Sequence, residues 1–140
     1  MYSQRVRLVM EQEKLLLATP GSTVSDAARL LESNDMGAIV VVENQSVVGI
    51  FTERDAVARV MALNRDPHTT RLAEVMTAAP LTIDPESSFG HALLLMHEHG
   101  FRHLPVVEDG RPIGIVRARD ALDPEMEQFI SEARRREGLR

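Results

Sequence analysis

The chain repeats itself. Displaced by 65 positions, residues 20–57 fall on residues 85–122 without a gap. Twelve of those 38 positions are identical, among them Pro20/Pro85, Ala27/Ala92, Gly49/Gly114, Arg54/Arg119 and Asp55/Asp120. A period this long, occurring only twice, is not a solenoid or propeller array. It describes two copies of one small unit packed on each other about a pseudo-two-fold axis. Half of a 140-residue chain forms only a marginal core alone, so each copy is expected to need the other. The cleft between them is where function is to be sought.

Each copy reads as strand, helix, strand, strand, helix. In the first, residues 15–18 are a short apolar strand stopped by Pro20-Gly21. Thr23 is placed to cap the next helix, with Asp26 three residues on, as in a capping box. Ala27, Leu30 and Leu31 supply its buried stripe and Gly37 its end. Residues 38–42 are a continuous apolar run of the kind found in buried strands. A polar turn at 43–46 and a strand at 47–51 follow, and Thr52 opens a second helix to about residue 63. The second copy predicts a strand at 81–83 and a helix at 88–99, with Phe89, Ala92, Leu93 and Met96 inward. A strand at 104–107, a turn at 108–110 and a strand at 112–116 complete it.

Residues 64–70, carrying Asp66-Pro67, read as the linker, so the expected divisions are 1–66, 67–122 and 123–140. In the last, Asp123 is a predicted N-cap with Pro124 at the first helical position, where its missing N–H costs nothing. Met126, Phe129, Ile130 and Ala133 then form one stripe, and Arg134-Arg135-Arg136 sit where the helix dipole favours cations. The fold class that follows is mixed α/β, of the α+β kind: two βαββα units plus a C-terminal amphipathic helix.

Net charge is −5, which argues against nonspecific nucleic-acid binding, since the phosphate interaction needs a basic surface. Without Cys there are no disulfides or thiolate metal sites, which fits a reducing compartment. No apolar stretch resembles a signal peptide or a bilayer span. The expectation is a soluble cytoplasmic protein without a membrane partner.

The local pattern with most chemistry is Gly49-Ile50-Phe51-Thr52-Glu53-Arg54-Asp55, where a strand runs into a helix. Thr52 lies at the helix N-terminus, where free N–H groups and the dipole favour a phosphate. Asp55, one turn on, can accept hydrogen bonds from both hydroxyls of a ribose. The same Thr-x-x-Asp spacing is also an ordinary capping box.

Further motifs recur in order: Ala27-Ala28-Arg29-Leu30-Leu31, Val75-Met76-Thr77, and Gly100-Phe101-Arg102-His103-Leu104-Pro105-Val106-Val107. With these, residues 6–122 resemble a tandem pair of cystathionine-β-synthase (CBS) domains, a Bateman module of stand-alone bacterial type. The resemblance implies two βαββα units and a regulatory role, binding AMP, ADP, ATP, NAD or S-adenosylmethionine, with no cofactor required. It implies that Thr52 takes phosphate and Asp55 ribose. Thr77, the backbone near Thr82, and Phe101-Arg102 beside the adenine come from the second copy, and His103 lies towards the phosphates. In the symmetry-related site Asp120 persists, but Arg117 replaces the expected Ser or Thr and Glu11 stands where Thr77 stands in its sister. Met36-Gly37 would line its base pocket. That site is either empty or selects a ligand with less phosphate. The resemblance also implies a homodimer and an unidentified regulated partner.

Other chemistries find little support. His97-x-His99, with His91 and His103 near, invites a metal, but residues two apart on a helix do not share a face. No nucleophile elbow, P-loop or catalytic carboxylate pair is present, so the chain is not expected to be an enzyme. The alternative to a nucleotide module is a protein–protein interaction module with a vestigial cleft.

Overall fold

The computed structural model describes residues 2–121 and 131–138. Its first sheet has four strands in the order β1-β2-β3-β4. They are β1 (Leu17–Ala18), β2 (Ala38–Glu43), β3 (Ser46–Thr52) and β4 (Thr77–Ala78). β1 runs parallel to β2, while β2/β3 and β3/β4 are antiparallel. The second sheet is the hairpin of β5 (His103–Glu108) and β6 (Arg111–Arg117).

The repeat survives in three dimensions down to its irregularities. The ladder from Ala38↔Thr52 to Glu43↔Ser46 recurs 65 positions on, from His103↔Arg117 to Glu108↔Arg111. The register slips at Val41/Val42 in one and at Val106/Val107 in the other. Both hairpins turn through two positive-φ residues, Asn44-Gln45 and Asp109-Gly110, which matches the twist of the flanking strands.

Helix α2 (Val24–Asn34) is capped as expected, Thr23 Oγ1 accepting from the Asp26 N–H at 3.2 Å. Val24, Ala27 and Leu31 are buried, but Leu30 is 40% exposed, on the edge of the stripe. The helix ends at Asp35, in the left-handed region at φ 50°, and not at Gly37. Helix α5 (Phe89–His99) buries Phe89, Ala92 and Met96, and Leu93 packs partly buried against them. The helix after Thr52 begins as α3 (Glu53–Asp55) and widens into a π-helix over Ala56–Met61. The strand expected at 81–83 is reduced to one parallel bridge, Ile83 to Val106, because Pro105 stands where Val40 donates to the Leu16 carbonyl in the first copy, and supplies no N–H.

The two copies trade their opening segments. α1 (Val6–Val9) lies on the second copy, where the Val6 and Arg7 N–H groups donate to the Ser87 and Pro85 carbonyls. Sixty-six positions on, α4 (Leu72–Val75) lies on the first, the Leu72 and Ala73 N–H groups donating to Ser22 and Pro20. Val6 is fully buried in the second core, and Leu72 and Val75 in the first. Glu11 bridges Ile115 as Thr77 bridges Ile50. Met76 covers Gly49 and Met10 covers Gly114, each so closely that no Cβ would fit. Ile115 of β6 reaches into the first core and joins the two halves.

The predicted N-cap Asp123, Pro124, and the stripe residues Met126, Phe129 and Ile130 lie outside the described residues. Residues 131–136, with Ala133, Arg134, Arg135 and Arg136, are helical. Among the described residues no helix is long and apolar enough to cross a membrane.

Candidate functional site

A cleft of about 460 Å³ opens between the copies. From the first copy it is lined by Thr52 and Asp55, and from the second by Thr77, Phe101, Arg102 and His103. Six residues expected in one site are thus brought to one place. Thr82 is not among the lining residues; Pro80 and Leu81 form that wall. Gly37, expected at the symmetry-related site, instead faces this cleft with Ile50, Glu53 and Arg54. Glu53 and Arg54 lie inside the Thr52–Asp55 motif, so their position was legible. Pro80 and Leu81 fall on the backbone near Thr82 that was expected there, while Gly37 was assigned to the other site.

β3 delivers Thr52 to the mouth of the sheet, and the chain turns at once into helix. The turn is held by a reciprocal box: the Asp55 N–H donates to Thr52 Oγ1 at 3.2 Å and the Thr52 N–H to Asp55 Oδ2 at 3.0 Å. The capping-box reading of Thr-x-x-Asp is the one this geometry shows. The box occupies Oδ2 and leaves Oδ1 with only Arg59 Nε, at 3.7 Å. Arg59 also donates to the Val75 and Met76 carbonyls at 3.2 and 3.0 Å, tying this helix to α4 and the wall carrying Thr77. Sequence reasoning missed Arg59. Asp55 is one of two buried polar residues in the described chain, and its free lone pairs remain able to accept hydroxyl protons.

His103 opens β5 opposite Arg117. Its ring presses on Gly37, where an added Cβ would lie 3.1 Å from Nε2. Burial, then the guanidinium groups of Arg117, Arg119 and Arg102, push its pKa down to about 4, and only Asp120 works the other way. The ring is neutral at pH 7 and can offer one N–H. Arg54 and Arg102, exposed and without an ion pair among the described residues, line the cleft beside the exposed carboxylate of Glu53.

The symmetry-related position is built differently. Asp120, Arg117 and Met36 meet there, Arg117 forking onto Asp120 at 2.9 and 3.1 Å and touching Met36 Sδ at 3.6 Å. The histidines do not gather: His99 contacts the Leu95 carbonyl and stacks on Phe101 at 5.6 Å. Among the described residues no three of His, Asp and Glu could share a metal.

A mitochondrial CBS-domain protein of Arabidopsis thaliana, CBSX3, is 32% identical over 125 residues. That match covers 86% of this chain, which spans 61% of the plant protein's length. YhcV of Bacillus subtilis is 36% identical over 102 residues, covering 73% of this chain and 72% of its own. A CBS-domain protein from Burkholderia ambifaria MC40-6 superposes with a TM-score of 0.71 at 36% identity, covering 76% of this chain and 77% of that one. The CBS pair of protein MJ0100, solved with 5′-methylthioadenosine and S-adenosyl-L-methionine, shares the fold at a TM-score of 0.76 and 23% identity, covering 92% and 98%. The CBS-domain family matches residues 6–62 and 72–126, the two units that trade their opening segments around the cleft. The chain therefore belongs to the CBS-domain family, with two CBS domains in tandem.

Proposed function

We propose that this chain is a regulatory module of the cytoplasm, not an enzyme, whose inter-repeat cleft binds an adenine nucleotide or related adenosyl ligand. The observation that carries the reading is that one cleft joins a strand-to-helix carboxylate, Asp55, to Thr77, Phe101, Arg102 and His103 of the other copy. Such a ligand bridges the copies, so its binding free energy depends on their relative angle. It shifts the population towards one arrangement by no more than its differential affinity for the two. A partner protein reads that arrangement, and a homodimer is the expected working form. The MJ0100 structure supports the reading, because its fold holds adenosyl ligands. Phe101 offers a face for adenine, the Asp55 carboxylate an acceptor for the ribose diol, and the unpaired guanidinium groups of Arg54 and Arg102 a place for phosphate.

The test is a thermal-shift series with AMP, ADP, ATP, NAD and S-adenosylmethionine on wild type and Asp55→Asn. The Asn oxygen can still accept the Thr52 N–H, so the cap is kept while the charge is lost. A ligand at about 100 times its Kd adds roughly 2.7 kcal/mol, a shift of several degrees. A shift in wild type that shrinks in the variant supports the reading. No shift from any of the five, in protein free of bound nucleotide, leaves the interaction module. Val57, Met61 and Leu63, exposed at 59, 70 and 64% on and just beyond the π-helix, favour that second reading.

A further inference from the structure

Both copies make the same backbone turn over their aspartate, the Thr52 N–H donating to Asp55 at 3.0 Å and the Arg117 N–H to Asp120 at 3.3 Å. They part at the side chain. The Thr52 hydroxyl turns back on its own helix, and Asp55 Oδ1 keeps only Arg59 Nε, at 3.7 Å and beyond hydrogen-bond length. Arg117 instead reaches round to Asp120, Nη2 donating to Oδ1 at 2.9 Å and Nε to Oδ2 at 3.1 Å. Nη2 also stands 3.9 Å from Glu11 Oε1, and Nη1 rests on Met36 Sδ. The three charged side chains are only 15, 18 and 22% exposed for Arg117, Asp120 and Glu11. Planar fork-on-fork pairing is the strongest arrangement available to such a pair, and separating it in a largely enclosed place leaves buried charge uncompensated.

We propose that Arg117 is a built-in plug. Its guanidinium holds the carboxylate that a ribose would need, so each chain takes one nucleotide, in the Thr52–Asp55 cleft, and the second half stays a ligand-free platform. The proposal rests on the nucleotide reading above and adds its stoichiometry. Glu11 is part of the device: it sits where the first cleft has Thr77, and without Arg117 it would oppose a phosphate. Restoring a second site therefore requires both changes, Arg117→Thr and Glu11→Thr, which copy the first cleft's residues into the second.

Isothermal titration with AMP and with ATP on the full chain decides it, sites being counted per chain. Wild type is expected to bind one ligand, and Asp55→Asn to lose it. Glu11→Thr/Arg117→Thr is expected to bind two. Adding Asp55→Asn to that pair should bring the count back to one, now in the second half. Two sites in wild type, or a folded Glu11→Thr/Arg117→Thr chain that still binds only one, overturns the plug but not the nucleotide reading. No binding to wild type by either nucleotide, nor by NAD or S-adenosylmethionine, defeats both. If circular dichroism shows the threonine pair unfolded, Glu11→Gln/Arg117→Lys replaces it. Lysine keeps a cation but not the fork, so a weaker second site is expected, and a folded chain that still binds only one ligand overturns the plug.

Discussion

Lowering the pH from 7 to 5 should cost the fold about 2 kcal/mol through His103 alone. In the folded chain its pKa is pushed down from the ordinary 6.5 to about 4, chiefly by burial and then by Arg117, Arg119 and Arg102. Between those values the unfolded chain binds a proton that the folded chain refuses, so stability rises with pH there. The contribution is complete above 6.5 and drains away as pH falls towards 4. At 1.36 kcal/mol per pH unit the whole window is worth about 3 kcal/mol, and roughly two thirds of it is gone by pH 5. Urea unfolding at both pH values, on wild type and His103→Gln, reads the difference, and the His103 Hε1 resonance reports its pKa directly. Titration near 6.5, or an equal loss of stability in the variant, would refute the reasoning. A phosphate bound beside the ring favours the imidazolium, so saturating ATP should move the His103 titration upward.

Two further outcomes follow from packing. Gly49→Ala places a Cβ 2.3 Å from Met76 Sδ and 3.0 Å from its Cγ and Cε, and should destabilise by about 1–3 kcal/mol. Met76→Ala in the same chain should relieve part of that loss; additive losses in the double-mutant cycle would argue against the contact. Leu72→Ala, at a fully buried position of the first core, should lower stability by about 2–5 kcal/mol. Leu63→Ala, at 64% exposure, should stay within about 0.5 kcal/mol. Equal urea midpoints for the two leucine variants would contradict the placement of α4 in that core.

Where sequence reading succeeded, the controlling interactions span a few residues. The Thr23–Asp26 cap and the Thr52–Asp55 box each close over three positions, and donor and acceptor are visible in the letters. Where it slipped, a neighbour distant in sequence decided. Leu30 fits the helical stripe but lies at its margin, because the hairpin β2/β3 covers only the Ala27–Leu31 side. Gly37 reads as a helix stop, yet its lack of a side chain serves the His103 ring across the cleft, and Asp35 makes the stop. The π-helix after Asp55 has no signature in the composition of Ala56–Met61.

By itself the sequence determined the period, the helix followed by a hairpin in each copy, and the residues shared by the two turns. These depend on alternation, caps and turn chemistry, all of which act locally and repeat when the letters repeat. Only the tertiary structure decided which copy each opening segment completes, where Gly37 faces, how deeply His103 is buried, and that Arg117 closes on Asp120 and Glu11. Those choices join residues as far apart as Glu11 and Ile115. They are set by competition among whole faces for the same buried space, and no short stretch of the chain records its outcome.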